Sequence, residues 1–285
     1  MKLSEWIGND SPVSAERAAR LTFSILLLLL AYRWYAGRFT FELAGAPIMN
    51  PELDNTFWAI LATGIPAWIV NNEALCIVLD IMVVAMALWA YTQPFDRRPL
   101  ISFLILFLMQ TLINEAYTSQ HSKTVVCIYI ALLPFLFNGG IWLRLWEFAR
   151  YYLGFIMVSS AFFKLMNGGL LQPDHFTYTL VYQHADILTM QAPEWQSALI
   201  SWLIQHPALN HILFWILFVV QLSFAVVFFS KRFDRLLVIV LLAFCCMSYI
   251  LMRIYNFDLI ILAAPLWYSY VVEPGLKFAF HDKVN

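Results

Sequence analysis

The sequence predicts an all-α integral membrane protein with about eight transmembrane helices and one or two interfacial helices on the outer side. Composition is the first ground. The 285 residues are 62% hydrophobic and only 12% charged, with mean hydropathy +0.72, whereas soluble domains run near 45–50% apolar and about 25% charged. Run length is the second. Apolar stretches recur at close to the roughly 20 residues that a helix needs to cross a bilayer, without the alternation of an outer-membrane barrel. The third is charge placement, which favours one side of the membrane.

The expected spans are Leu21–Tyr35, Ala74–Tyr91, Leu100–Glu115, Thr124–Phe137, Phe148–Leu165, Ile212–Phe229, Leu236–Met252 and Phe257–Val272. Residues 1–20 form a polar cytoplasmic segment with no apparent cleavable signal peptide. Residues 21–272 form one membrane domain, and 273–285 a cytoplasmic tail. Asn50–Asn72, with Pro51 and Pro66, is expected to be an interfacial or shallow re-entrant helix. Trp195–Gln205, with Trp195 and Trp202, is expected to be a second amphipathic piece.

Basic residues set the orientation. With the N-terminus in the cytoplasm, Lys2, Arg17, Arg20, Arg97, Arg98, Arg144, Arg150, Lys231, Arg232, Arg235, Lys277 and Lys283 fall inside, 12 of the 17 Lys and Arg. Eight spans then return the C-terminus to the same side, as in a bacterial inner membrane or an ER-type membrane. Arg33, Arg38, Lys123, Lys164 and Arg253 fall toward the outer half, with His121, His175, His184, His206 and His211. The side that gathers these groups is the expected functional side. A small-molecule transporter would place polar groups in both halves. The net charge of -1 argues against a nucleic-acid partner.

Lys164 closes the apolar stretch Tyr151–Lys164. A charge at the bilayer centre costs roughly 2.5–3.5 kcal/mol on insertion scales. The lysine therefore either snorkels to the headgroups or works as a desolvated amine, competent as base or nucleophile. His121, in the outer turn Asn114–Lys123, either relays a proton or is a solvated turn residue. Gln120, Asn114 and Glu115 stand close in sequence and are placed to orient it. Arg253 and Asp258 flank the last outer turn, as a helix-end ion pair or as an anion or substrate anchor. Arg33 and Arg38, beside Trp34 and Tyr35, fit interfacial anchoring. Asp80 and Gln221 are buried polar residues that need partners. Cys76, Cys127, Cys245 and Cys246 read as small apolar residues within helices. The histidines lack metal-ligand spacing, and no metal is predicted.

Three segments carry a resemblance. Ser160-Ala-Phe-Phe-Lys164-Leu-Met-Asn167 resembles the lysine motif of the vitamin K-dependent gamma-carboxylase and of the wider horizontally transferred transmembrane (HTTM) family. Gln120-His121-Ser122 is similar to that family's Asn-His-Ser turn. Phe244–Trp267 is similar to its seventh-to-eighth helix region, sharing Phe244, Cys246, Met247, Leu251, Ile254, Phe257, Leu262, Ala263, Pro265 and Leu266. The resemblance implies that Lys164 is a catalytic base toward a reduced quinone of the vitamin K or menaquinone type. It further implies that His121 assists proton movement; Arg253, Gln120, Asn114 and Asp258 are the expected substrate-binding residues.

The expected partners are membrane lipids, a lipidic or quinol substrate, and a secreted or membrane protein. Two departures accompany the resemblance. Cys245 stands where the family has a histidine, and Asn285 follows soon after the last expected helix, so recruitment of a protein substrate through a luminal region is not expected. The alternative function is a non-catalytic membrane subunit for maturation or export of a secreted partner.

Overall fold

A computed structural model describes residues 13–44, 55–117, 125–185, 194–252 and 254–272. Apart from one two-residue strand pairing it is helical throughout. It divides into two compact units. The first holds the described residues of Pro12–Trp146 together with those from Tyr270 onward, and the second those of Glu147–Ser269.

In the first unit, strand β1 (Val13–Ser14) leads into helix α1 (Ala15–Tyr35), whose N-terminus Ser14 caps by accepting from Arg17 N–H at 3.4 Å. Ala15, Ala18, Ala19, Thr22, Phe23, Leu26, Leu29 and Leu30 are buried along it, the spacing of one helix face. Two short helices follow, α2 (Asn55–Ala62) and α3 (Ile65–Val70), separated at Gly64. Gly64 has φ 73°, a left-handed conformation that costs glycine little. Pro66 sits in the first turn of α3, where its missing N–H is harmless. The expected interfacial stretch is thus two short helices in its described part. Trp68 lies open on α3, while Ile69 receives the Cys76 thiol on its carbonyl at 3.2 Å.

Helix α4 (Glu73–Thr92) packs against both α1 and α5 (Arg97–Tyr117). Helix α6 (Val126–Leu132) tightens into a 3-10 turn at Leu133–Leu136. An aromatic core closes the unit. Phe135 meets Phe23 at 5.3 Å and Trp142 and Trp146 at 6.0 Å each, and the two indoles stack at 5.3 Å. Val13–Ser14 pairs in parallel with β2 (Val271–Val272), joining the two ends of the described chain.

Helix α7 (Gly140–Met166) contains the boundary between the units. Beyond that boundary it buries Ala149, Leu153, Met157 and Ala161, one residue per turn. Gly154 allows close approach of the 3-10 turn Phe224–Phe228. A Cβ there would meet the Phe228 ring at 3.2 Å. Helices α8 (His175–Gln183), α9 (Glu194–Ile204) and α10 (Pro207–Ser223) share an apolar cluster of Leu170, Phe176, Leu180, Ile200, Leu203 and Phe214. In α9, Ile200 and Leu203 are buried while Trp195 and Trp202 are exposed, the amphipathic character expected of Trp195–Gln205. Helix α11 (Asp234–Met252) and α12 (Ala263–Trp267), with the 3-10 turn Phe257–Leu262 between them, complete the unit. Cys76, Cys127 and Cys245 are buried and Cys246 is exposed.

Among the described residues, four helical stretches are long and apolar enough to cross a membrane: Glu73–Thr92, Arg97–Tyr117, Pro207–Phe228 and Asp234–Met252. They coincide with four of the expected spans. The expected first and fifth spans lie inside α1 and α7 and are fully helical. The stretches expected as the fourth and eighth spans are shorter, Val126–Leu136 and Phe257–Trp267. Pro134 and Pro265 lie in them, and proline removes a donor that an α-helix uses.

Two of the cations assigned to the cytoplasmic side are structural. Arg150 is 1% exposed. Its Nε and Nη2 donate to Asp234 Oδ2 and Oδ1 at 2.6 and 3.0 Å, its Nη2 also to the Ser230 carbonyl at 2.8 Å, and its Nη1 to Glu147 at 3.2 Å. Lys231 Nζ donates to Glu147 Oε2 at 2.8 Å and to the Ser269 carbonyl at 3.1 Å. Arg150→Ala is expected to lower stability by about 3–5 kcal/mol, because it leaves the Asp234 carboxylate buried alone. The double change Arg150→Met with Asp234→Leu should lose far less. Chemical unfolding in detergent micelles compares the two.

Candidate functional site around Lys164

Lys164 lies in the last turn of α7, and Ser160 lies four residues earlier on the same face. Gln221 comes from α10 and is 3% exposed. The Lys164 Nζ sits 2.9 Å from Ser160 Oγ and 2.9 Å from Gln221 Oε1, with the Ser160 carbonyl at 3.4 Å. Gln221 Nε2 donates to Ser160 Oγ at 3.2 Å, closing a ring of three side chains. The half-buried lysine therefore curls back toward its own helix and α10, while Phe162, Phe163 and Met166 around it are exposed. Among the described residues, no carboxylate lies within ion-pair distance of the amine.

This ring accommodates either form of the amine. A hydroxyl both donates and accepts, whereas an amide oxygen only accepts. An ammonium donates to Ser160 Oγ and Gln221 Oε1. A neutral amine donates to Gln221 Oε1 and accepts the Ser160 hydroxyl proton. No movement of heavy atoms separates the two arrangements.

The other expected site residues are distributed differently. His121, Gln120 and Arg253 lie outside the described residues. Asn114 is buried in the first unit, where its Nδ2 donates to the Gln110 carbonyl one turn back at 3.0 Å. Asp258 is buried in the 3-10 turn Phe257–Leu262, in the same unit as Lys164, and makes no ion pair with it. The Cys245 thiol, where the resemblance expects a histidine, donates to the Asn256 carbonyl at 3.5 Å.

Gln221 is the partner that the sequence left unnamed for Lys164, and Ser160 joins them. The i,i+4 spacing of Ser160 and Lys164 was a visible signal, but nothing local linked Gln221 to them. Asp80 is also partnered. It accepts from Thr40 N–H at 3.1 Å, Phe41 N–H at 2.9 Å and Gln110 Nε2 at 2.6 Å, capping the 3-10 turn Thr40–Leu43. Arg33 is only 4% exposed, with its guanidinium over the Phe107 ring at 5.1 Å, so it does not anchor at an interface as expected. His184, fully buried, holds the end of α11 through Nε2 and the Leu251 carbonyl at 2.7 Å. Among the described residues, no group of three His, Cys, Asp or Glu is arranged to hold a metal ion.

Compared with known proteins, the chain matches no family model, no curated protein and no solved structure.

Gln221→Leu removes one acceptor from the amine and one donor from Ser160. It is expected to lower stability by about 1–2 kcal/mol, measured by chemical unfolding in detergent micelles. Ser160→Ala is expected to lower it by a similar amount, and the double variant by less than the sum because the ring is shared.

Proposed function

We propose that the chain is a multi-pass membrane protein of eight spans, with both termini cytoplasmic, in which Lys164 acts as a base on a quinol-like or other lipidic substrate in the outer half of the membrane. The observation that carries this is the ring at Lys164. Its amine is held in place by a hydroxyl and an amide, not by a carboxylate. A paired carboxylate would keep the amine as an ammonium. Burying an unpaired charge is costly, and a neutral amine is a competent proton acceptor. In the proposed step Lys164 takes the proton of a substrate hydroxyl and keeps it as an ammonium, whose extra N–H bonds Ser160 Oγ.

The resemblance to the gamma-carboxylase and the HTTM family supports the same role, with a reduced quinone of the vitamin K or menaquinone type as substrate. His121 would pass the proton onward, and Arg253, Gln120, Asn114 and Asp258 would contribute to the substrate site. Cys245 in place of the family histidine favours a second function, a non-catalytic membrane subunit for a secreted partner. Co-purification of a partner at fixed stoichiometry, unaltered by Lys164→Ala, supports that alternative.

The test uses the purified chain in lipid nanodiscs with reduced menaquinone or vitamin K under oxygen, following epoxide formation by chromatography. Lys164→Ala is expected to lower the rate by about 10²–10⁴-fold, the usual contribution of a positioned acid or base. Gln221→Glu sets a carboxylate against the amine, so it should lose comparable activity while remaining folded. Absence of epoxide with the wild-type chain, or an equal rate in Lys164→Ala, overturns the proposal.

A further inference from the structure

The first unit contains an apolar groove of about 700 Å³ between α1 and α4. Its walls include Leu27, Leu30 and Ala31 from α1, and Ile77, Val84 and Leu88 from α4. From Ile77 to Leu88 it follows α4 for eleven residues, about 16 Å at 1.5 Å per residue, or roughly half the hydrocarbon core. Trp34 stands exposed at its edge, with Phe39 and Phe41 lining the same end. Among the described residues, Asp80 is the one charged residue in the lining, and it is only 4% exposed.

The dimensions fit a hydrocarbon chain, and the Asp80 end specifies the head. The Thr40 and Phe41 N–H groups and the Gln110 amide that hold the carboxylate are neutral donors, so it presents to the groove as an acceptor already fixed in position. A carboxylate beside an apolar trough repels phosphate and favours a head whose hydroxyl groups donate to it.

We infer that this groove binds one neutral, hydroxyl-bearing membrane lipid, with its hydrocarbon chain between α1 and α4 and a hydroxyl donating to Asp80. The inference rests on the membrane location proposed above, but not on any role of Lys164. It gives the first unit a ligand site of its own.

The full chain in nanodiscs is exposed to a long-chain monoacylglycerol with a diazirine in its acyl chain, irradiated, and mapped by peptide mass spectrometry. Crosslinks are expected at Leu27, Val84 and Leu88, and unlabelled monoacylglycerol should displace them while the matching lysophosphatidic acid does not. Val84→Trp fills the trough and should lower the crosslinks about tenfold, the effect of overpacking by about 1.4 kcal/mol. Ile105→Trp, on an exposed part of α5, should leave them unchanged. Labelling spread evenly over Ile105, Leu108 and the groove, insensitive to Val84→Trp, overturns the groove site alone. Equal displacement by lysophosphatidic acid overturns the choice of head. Release of the chain from its membranes by alkaline carbonate overturns the membrane location and this site with it.

Discussion

The buried contact between Arg150 and Asp234 is the constraint around which the second unit is organised. It joins the body of α7 to the first residue of α11 across 84 positions of sequence. Both side chains are almost wholly withdrawn from solvent. Two such charges carry a large desolvation penalty, repaid only if every donor is directed at an acceptor. Here the guanidinium meets one carboxylate with two nitrogens, a carbonyl with one of them, and a second carboxylate with the third. Glu147 passes the network on to Lys231, whose ammonium in turn reaches Ser269. The turn before α11 is consequently fixed against α7 by directional bonds, and apolar contacts such as Gly154 with Phe228 fill in beside it.

The same helix solves a second cation in the opposite way. Lys164 lies fourteen residues after Arg150, about 21 Å farther along α7. Its partners are a hydroxyl and an amide, which hold the amine in position without neutralising it. Arg150 is therefore committed to structure. Lys164 has no carboxylate partner among the described residues, and that contrast sets it apart from Arg150.

Much of the helical layout was legible in the sequence because hydropathy and run length depend on local composition. Glu73–Thr92, Arg97–Tyr117, Pro207–Phe228 and Asp234–Met252 are uninterrupted apolar stretches, and each was visible as such. The expected eighth span Phe257–Val272 overran the helical stretch Phe257–Trp267, because its apolar composition continues into Tyr268–Val272, where the chain leaves the helix and forms β2. At the site, Lys164 was visible as a costly charge. Its partner was not, since Gln221 lies on another helix 57 positions away and only tertiary packing joins them. Arg33 and Arg150 show the same limit. Aromatic neighbours made one look like an anchor and sequence position made the other look like a topology marker, yet both are buried in contacts set by distant residues.

The two-residue pairing of Val13–Ser14 with Val271–Val272 has a topological meaning larger than its four residues. Hydrogen-bonded partners occupy the same compartment. In the membrane arrangement proposed above, a chain whose first and last described segments are tied together in this way crosses the bilayer an even number of times. Each added crossing has to be matched by a return, so helices such as α1 and α7, whose charges set them apart from the most apolar stretches, can join or leave the membrane only in compensating pairs. Parity, more than the hydropathy of any single helix, limits the arrangements this fold can adopt.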